Sequence, residues 1–305
     1  MRVVGDMREA FRDAAVELVE EDPLTAVVLA DISADLFAKA MARHPSRVLN
    51  VGIREQLMVS VGGGLALAGM RPIVHTYAPF LVERAFEQVK LDIGHQGAAA
   101  VLVSVGASYD AARSGRTHQA PEDVLLVDAV PGFSVHVPGH PDEVASALRS
   151  AVRALGSGRS AYIRLSTEAN GAARAVSGSG RLQVIREGSL GVVVAVGPLL
   201  DTVLDAVVDL DVGVAYATTV RPFDADGLRA VASASGVVVL VEPYLAGTSS
   251  AVVSSALGAL PHRVLGLGIR NPELRRYGTP DDHARMQGLD AGGIRRSVTG
   301  FLGLT

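Results

Sequence analysis

The feature that most limits what this chain can fold into is the steady return of short, uninterrupted runs of β-branched residues. TAVVLA (25–30), RPIVHT (71–76), AAVLVSV (99–105), SVHVP (134–138) and YIRLS (162–166) form one series. GVVVAV (191–196), VGVAYA (212–217), GVVVLVE (236–242) and RVLGLGI (263–269) form a second. A strand with one wet face alternates apolar and polar residues; these runs do not, so both faces are covered. Strands of that kind separated by helix-length segments imply parallel sheets flanked by helices. The spacing predicts helices over 6–21, 53–69, 80–94 and 141–155, then over 198–210, 224–234 and 247–259. Between the two series lies TEANGAARAVSGSGR, rich in small and polar residues, which reads as a linker. The expected fold is α/β with two domains, each a mainly parallel sheet flanked by helices. Their expected bounds are 1–167 and 182–305, with a linker over 168–181.

Composition narrows the function classes. With 305 residues, 49% hydrophobic and 20% charged, the chain has material for a sizeable core. A formal net charge of −4 and the lack of a Lys/Arg-rich run leave no electrostatic footprint for nucleic acid. There is no cysteine, which excludes disulfides, thiol catalysis and Cys-ligated metals, and fits a cytoplasmic protein. The opening MRVVGDMREAFRDAAVELVEED is too charged for a signal peptide, and GVVVAVGPLL is too short for a membrane span. Asp6 and Glu9 have the spacing of a capping box, with Asp6 accepting from the Glu9 amide. Gly247-Thr248-Ser249 reads as the capping region of the 247–259 helix.

One stretch resists a bland reading: NVGIREQLMVSVGGGLALAG, residues 50–69. If 53–69 is a helix, Ile53, Leu57, Val61 and Leu65 form its core stripe and Glu55 lies off it. Gly62 and Ala66 continue the face of Glu55 as a path of small residues. Each helical glycine costs about 1 kcal/mol relative to alanine, so three in a row ask for a close approach by a backbone or a flat ligand. Glu55 is equally read as a first-turn acid favoured by the helix dipole. A dinucleotide loop does not fit, because the glycines fall inside the helix and not in a strand-to-helix turn.

NVGIREQLMVSVGGGLALAGMRPIVHTYAPFLVERAFEQVK resembles the pyrimidine-binding domain of transketolase and its relatives. THQAPEDVLLVDAVPGFSVHVPGHPDEVASAL resembles the family's Thr-His-Gln, Glu-Asp and Pro-Gly segment, and YGTPDDHARMQGLDAGGI its closing segment. The resemblance spans nearly the whole chain, in order. It implies a thiamine-diphosphate pyrimidine-binding fold followed by the transketolase carboxy-terminal fold. It implies that Glu55, placed by GIREQ, is the glutamate that bonds N1′ of the cofactor's aminopyrimidine. Tyr77 and Phe80, in HTYAPF, match the paired aromatics against that ring. Asp31 and Ile32, in LADISADL, fall beside the thiazolium ring; Asp31 is otherwise a cap or turn residue. His118, in RTHQAPED, matches the histidine near the reacting hydroxyl and carbonyl. The other histidines read as surface or structural. Arg8 falls at a position that binds substrate phosphate, or else on a solvated helix face.

The resemblance also shows gaps. The Gly-Asp-Gly motif that holds magnesium and diphosphate occurs nowhere in the sequence, so no metal ligand is expected in this chain. The implied arrangement is the carboxy-terminal subunit of a split transketolase. Its partner is an amino-terminal subunit that carries the diphosphate-binding domain and Mg²⁺, in an α2β2 heterotetramer. Ser114 stands where the family has an Asp that contacts a sugar hydroxyl. Gly106 stands for a phosphate-contacting His and Thr167 for an Arg, with Arg164 three residues away as a candidate replacement. The implied activity is two-carbon ketol transfer from a ketose donor with altered substrate choice. Alternatives are an enzyme like deoxyxylulose-phosphate synthase, the β subunit of a 2-oxoacid dehydrogenase, or a non-catalytic assembly partner.

Overall fold

The computed structural model describes residues 6–174, 180–273 and 275–304. Twelve strands form two sheets. They are β1 (Thr25–Leu29), β2 (Val48–Asn50), β3 (Arg71–Tyr77), β4 (Val101–Val105), β5 (Phe133–His136), β6 (Ser160–Arg164), β7 (Gln183–Arg186), β8 (Val192–Val196), β9 (Gly213–Ala217), β10 (Thr219–Arg221), β11 (Val237–Leu245) and β12 (Arg263–Ile269). The first sheet has the order β10-β5-β6-β4-β3-β1-β2 and the second β12-β11-β8-β9-β7. Among the described residues, only the β10–β5 and β7–β9 pairs are antiparallel. Every residue of β1, β4, β6, β8 and β9 is buried, which is why those runs carry no polar alternation.

Helices Met7–Glu21 and Pro141–Leu155 cover one face of the first sheet, packing on Val27, Leu29, Ile73, Val103 and Ile163. On the other face, Met58 and Val59 of the helix Glu55–Leu67 meet Val28, Val74 and Leu102. That apolar cluster runs on without a break into Val194, Leu240 and Tyr244 of the second sheet. The chain also crosses between the sheets. Thr219–Arg221 lies in the sequence assigned above to the second domain, yet it pairs with the edge of the first sheet. Asn170, within the expected linker, is 1% exposed and donates to Gly139 O and Gly197 O. Residues 175–179 of that linker lie outside the described residues.

Several local expectations need correction. Asp6 accepts from the Arg8 amide at 2.8 Å, not from that of Glu9. Ser249 is the cap of Ser250–Leu257, but its side chain makes no capping bond. The helix expected over 80–94 is two π-helical stretches, Pro79–Arg84 and Val89–His95, around Phe86–Gln88. Half of the expected core stripe of the 53–69 helix faces outward: Ile53 is 72% and Leu57 45% exposed, whereas Val61 and Leu65 are half-buried against the core. The buried face carries Glu55, Met58, Val59, Gly62 and Gly63. The glycines explain the rotation. A Cβ on Gly62 would lie 2.6 Å from Val74 Cγ2, and one on Gly63 would lie 2.8 Å from Asp92 O. Gly64 meets nothing within 4 Å. No helix among the described residues is long and apolar enough to cross a membrane.

Candidate functional site

Parallel strands deliver their following loops to one edge of a sheet, and open α/β sheets bind ligands at that edge. Here β1 delivers Asp31 and Ile32, β2 delivers Glu55, β3 delivers Tyr77 and Phe80, β4 leads to the His118 turn, and β6 leads to Thr167.

Glu55 is the first residue of its helix, where the dipole favours a carboxylate. Its side chain is only 3% exposed, and Oε1 accepts from Arg84 Nη1 at 3.0 Å. The Arg84 guanidinium sits 4.3 Å over the Phe80 ring, one wide helical turn earlier. Phe80 meets Tyr77 edge-on at 6.0 Å, and His118 closes the triangle at 5.1 Å from Phe80 and 5.6 Å from Tyr77. Carboxylate, guanidinium, two aromatic rings and an imidazole thus form one contiguous series. Tyr77 lies so close to Gly106 that a Cβ there would come within 2.1 Å of its ring. Gly106 also has a φ of 64°, a second reason for glycine at this position.

Asp31 has a left-handed φ of 68° and is exposed. Its amide donates to Asn50 Oδ1 at 2.9 Å, and the same oxygen accepts from Gly52 N at 3.1 Å, so Asn50 knits two site loops together. Ile32 is half-buried beside it. Behind them Arg8 Nε donates to Ser33 Oγ at 2.7 Å, and Ser33 contacts His75 Nε2 at 2.8 Å. His75 Nδ1 is 2.9 Å from Val103 O, and a carbonyl only accepts. The proton is therefore on Nδ1 and Ser33 donates to Nε2. Burial pushes the His75 pKa down to about 3, so this relay is neutral at the imidazole.

A cleft beside Tyr77 is lined by Asp6, Arg8, Asp110, Ser166 and Thr167. Gly106 also lines it, so two of the positions singled out for lost phosphate contacts lie together with Arg8. Asp110 is new to the picture. Its carboxylate accepts from Ser166 Oγ at 3.0 Å and Thr167 N at 2.9 Å, and burial pushes its pKa up to about 6. Ser114 is exposed on the turn before His118 and does not line the cleft. Arg164, the candidate replacement, is 1% exposed and does not line this cleft. Its Nε donates to Asp123 Oδ2 at 2.8 Å, and its Nη2 donates to Ser108 Oγ and Pro243 O. Continuous apolar neighbours on β6 could have signalled that burial. Asn50 and Asp110 left no such signal, since Asp31, which Asn50 holds, and Ser166 and Thr167, which Asp110 holds, lie far along the chain. Among the described residues, no group of three or more His, Cys, Asp or Glu side chains is placed to hold a metal.

A family model described as the transketolase pyrimidine-binding domain matches residues 5–171. The chain is 52% identical to an uncharacterized 33.6 kDa protein of the fasciation locus of Rhodococcoides fascians, over 98% of this chain and 95% of that protein. It is 32% identical to 1-deoxy-D-xylulose-5-phosphate synthase of Thermus thermophilus over 95% of its length, and spans about half (47%) of that enzyme. A split-gene transketolase solved as an inactive β4 tetramer superposes with a TM-score of 0.85 at 28% identity, covering 98% of this chain and 99% of that one.

Proposed function

Since the chain belongs to the transketolase family, we propose that it is the pyrimidine-binding subunit of a split, thiamine-diphosphate-dependent ketol-transferring enzyme. The observation that carries this reading is the unbroken series Glu55–Arg84–Phe80–His118–Tyr77 at the carboxyl edge of the first sheet. The residues fit the cofactor's aminopyrimidine. Gly106 leaves room for Tyr77 to stand as a wall, and Glu55 presents a nearly dry carboxylate linked to that wall through Arg84 and Phe80. Thiamine diphosphate would supply a nucleophilic carbon when bound. Glu55 would hold a proton for the aminopyrimidine, with Arg84 fixing the carboxylate's orientation. Tyr77 and Phe80 would exclude water from it, and Asp31 and Ile32 would help to hold the cofactor. His118 would exchange a proton with the substrate hydroxyl.

The diphosphate and Mg²⁺ belong, in this reading, to a separate amino-terminal subunit in an α2β2 assembly. The outward Ile53 and Leu57, beside Glu55, are the apolar face offered to that partner. The domain bounds 1–167 and 182–305 remain part of the proposal. The absence of cationic groups at Gly106 and Thr167 supports a substrate choice away from ordinary pentose phosphates. The test is Glu55→Gln in the reconstituted pair. Turnover should fall at least about a hundredfold, and cofactor should bind the pair but not the lone chain. Unchanged turnover would mean a non-catalytic assembly role. The likeness to deoxyxylulose-phosphate synthase favours one second reading, decarboxylating chemistry; turnover of pyruvate in place of a ketose by the same pair would select it.

A further inference from the structure

The turn Arg116–His118 is held from both sides by the second half of the chain. Arg116 Nε donates to Glu273 at 3.1 Å, with Glu122 at 3.1 Å and Glu83 at 3.8 Å completing its ion pairs. The Tyr277 ring packs on Gly115. On the far side stands Gln119, whose carbonyl accepts from Arg116 Nη1 and whose side chain enters a small cavity between the halves.

That cavity is lined by Ser108, Tyr109, Gln119, Asn271, His283 and Gln287, and its size admits a single water molecule. Two of these side chains are more than nine-tenths buried yet unpartnered. Gln119 is 7% exposed with no acceptor for Nε2, and His283 is 2% exposed with no partner for Nε2. Gln287 and Ser108 are partnered elsewhere. Gln287 accepts from the Arg270 and Asn271 amides and donates to Asn271 O; Ser108 donates to Pro243 O. Two orphaned polar atoms on one cavity of that size are the signature of an ordered water. Gln119 Nε2 can only donate, so the water accepts from it, and the water's remaining proton and lone pair serve His283 Nε2 in either tautomer. The His283 ring is kept in plane for this by stacking on Tyr109, 5.8 Å away at 22°.

We infer that His283 is a positioning residue for the His118 turn, acting through one ordered water held between Gln119 and His283. The functional half of this inference rests on the role proposed above for His118. A high-resolution crystal structure of the lone chain should show a water within about 3.2 Å of both atoms. His283→Leu removes one of the water's two side-chain partners; the imidazole resonances of His118 should move, and His283→Gln should restore them. Gln119→Met should move them in the same way if His283→Leu does not fold. In the reconstituted enzyme His283→Leu should lower kcat about ten- to a hundredfold with KM nearly unchanged, again rescued by glutamine. A dry cavity, a direct Gln119–His283 bond, or His118 resonances indifferent to both variants overturns the inference. If His118→Ala keeps full turnover while those resonances still respond to His283, the site reading fails and the positioning contact stands.

Discussion

Arg164→Met should destabilise the protein far more than a lost ion pair on its surface. Arg164 is 1% and Asp123 0% exposed. Methionine keeps most of the stem's packing but leaves Asp123 dry, with no cation beside it and held only by the Tyr162 hydroxyl and the Val124 amide, each at 2.8 Å. Breaking a buried pair in this way costs about 3–5 kcal/mol, because the remaining charge stays uncompensated. An unfolding entropy of about 2.1 cal/mol/K per residue, taken over a chain of 305 residues melting as one unit, converts that to a fall in Tm of about 5–8 °C. The bonds from Nη2 to Ser108 and Pro243 O join β6 to β11, so the halves should also melt less cooperatively. The assay is calorimetry on Arg164→Met, Asp123→Leu and the double variant. The double should recover much of either single loss, since neither charge is then buried alone. A fall below about 2 °C, equivalent to the ~1 kcal/mol of an exposed pair, or strict additivity in the double variant, would refute the reasoning.

The glycine run divides by position: Gly64→Ala should stabilise the chain by about 0.5–1 kcal/mol, whereas Gly62→Ala and Gly63→Ala should destabilise it, as read by urea midpoints. Gly106→Ala should both strain a left-handed backbone, by about 1–2 kcal/mol, and displace Tyr77; cofactor affinity of the reconstituted pair should drop even where the fold survives. Burial lowers the His136 pKa to about 4 from 6.5. The unfolded chain therefore binds the proton first, and stability is lost as pH falls from about 6.5 toward 4. His136→Gln should flatten that limb of the stability–pH curve; an identical slope would show that His136 titrates alike in both states.

The strands were legible because burial on both faces writes itself directly into composition, residue by residue. TAVVL and VVVAV need no partner to be recognised. β2, β7 and β10 were not, being three- or four-residue edge segments whose pairing comes from neighbours far along the chain. At the candidate site, Glu55, Tyr77, Phe80 and His118 were named from short motifs, and the structure places them side by side. Arg164 was misplaced because a charged residue at a strand end reads as a surface group until its buried partner is seen.

The helix of Glu55 shows where the division falls. Its sequence alone determined that a helix begins there, that three glycines need an explanation, and that an acid opens it. Periodicity put Ile53 and Leu57 in the core stripe with Val61 and Leu65, and only the latter two pack there. Only the tertiary structure decided which face is inside, because Val74 and Asp92 approach closely enough at Gly62 and Gly63 to exclude a Cβ. Steric closeness between segments is a property of distances, and a one-dimensional pattern of apolar residues does not encode which neighbour will come nearest. That choice buries Glu55, sets it against Arg84, and turns Ile53 and Leu57 outward.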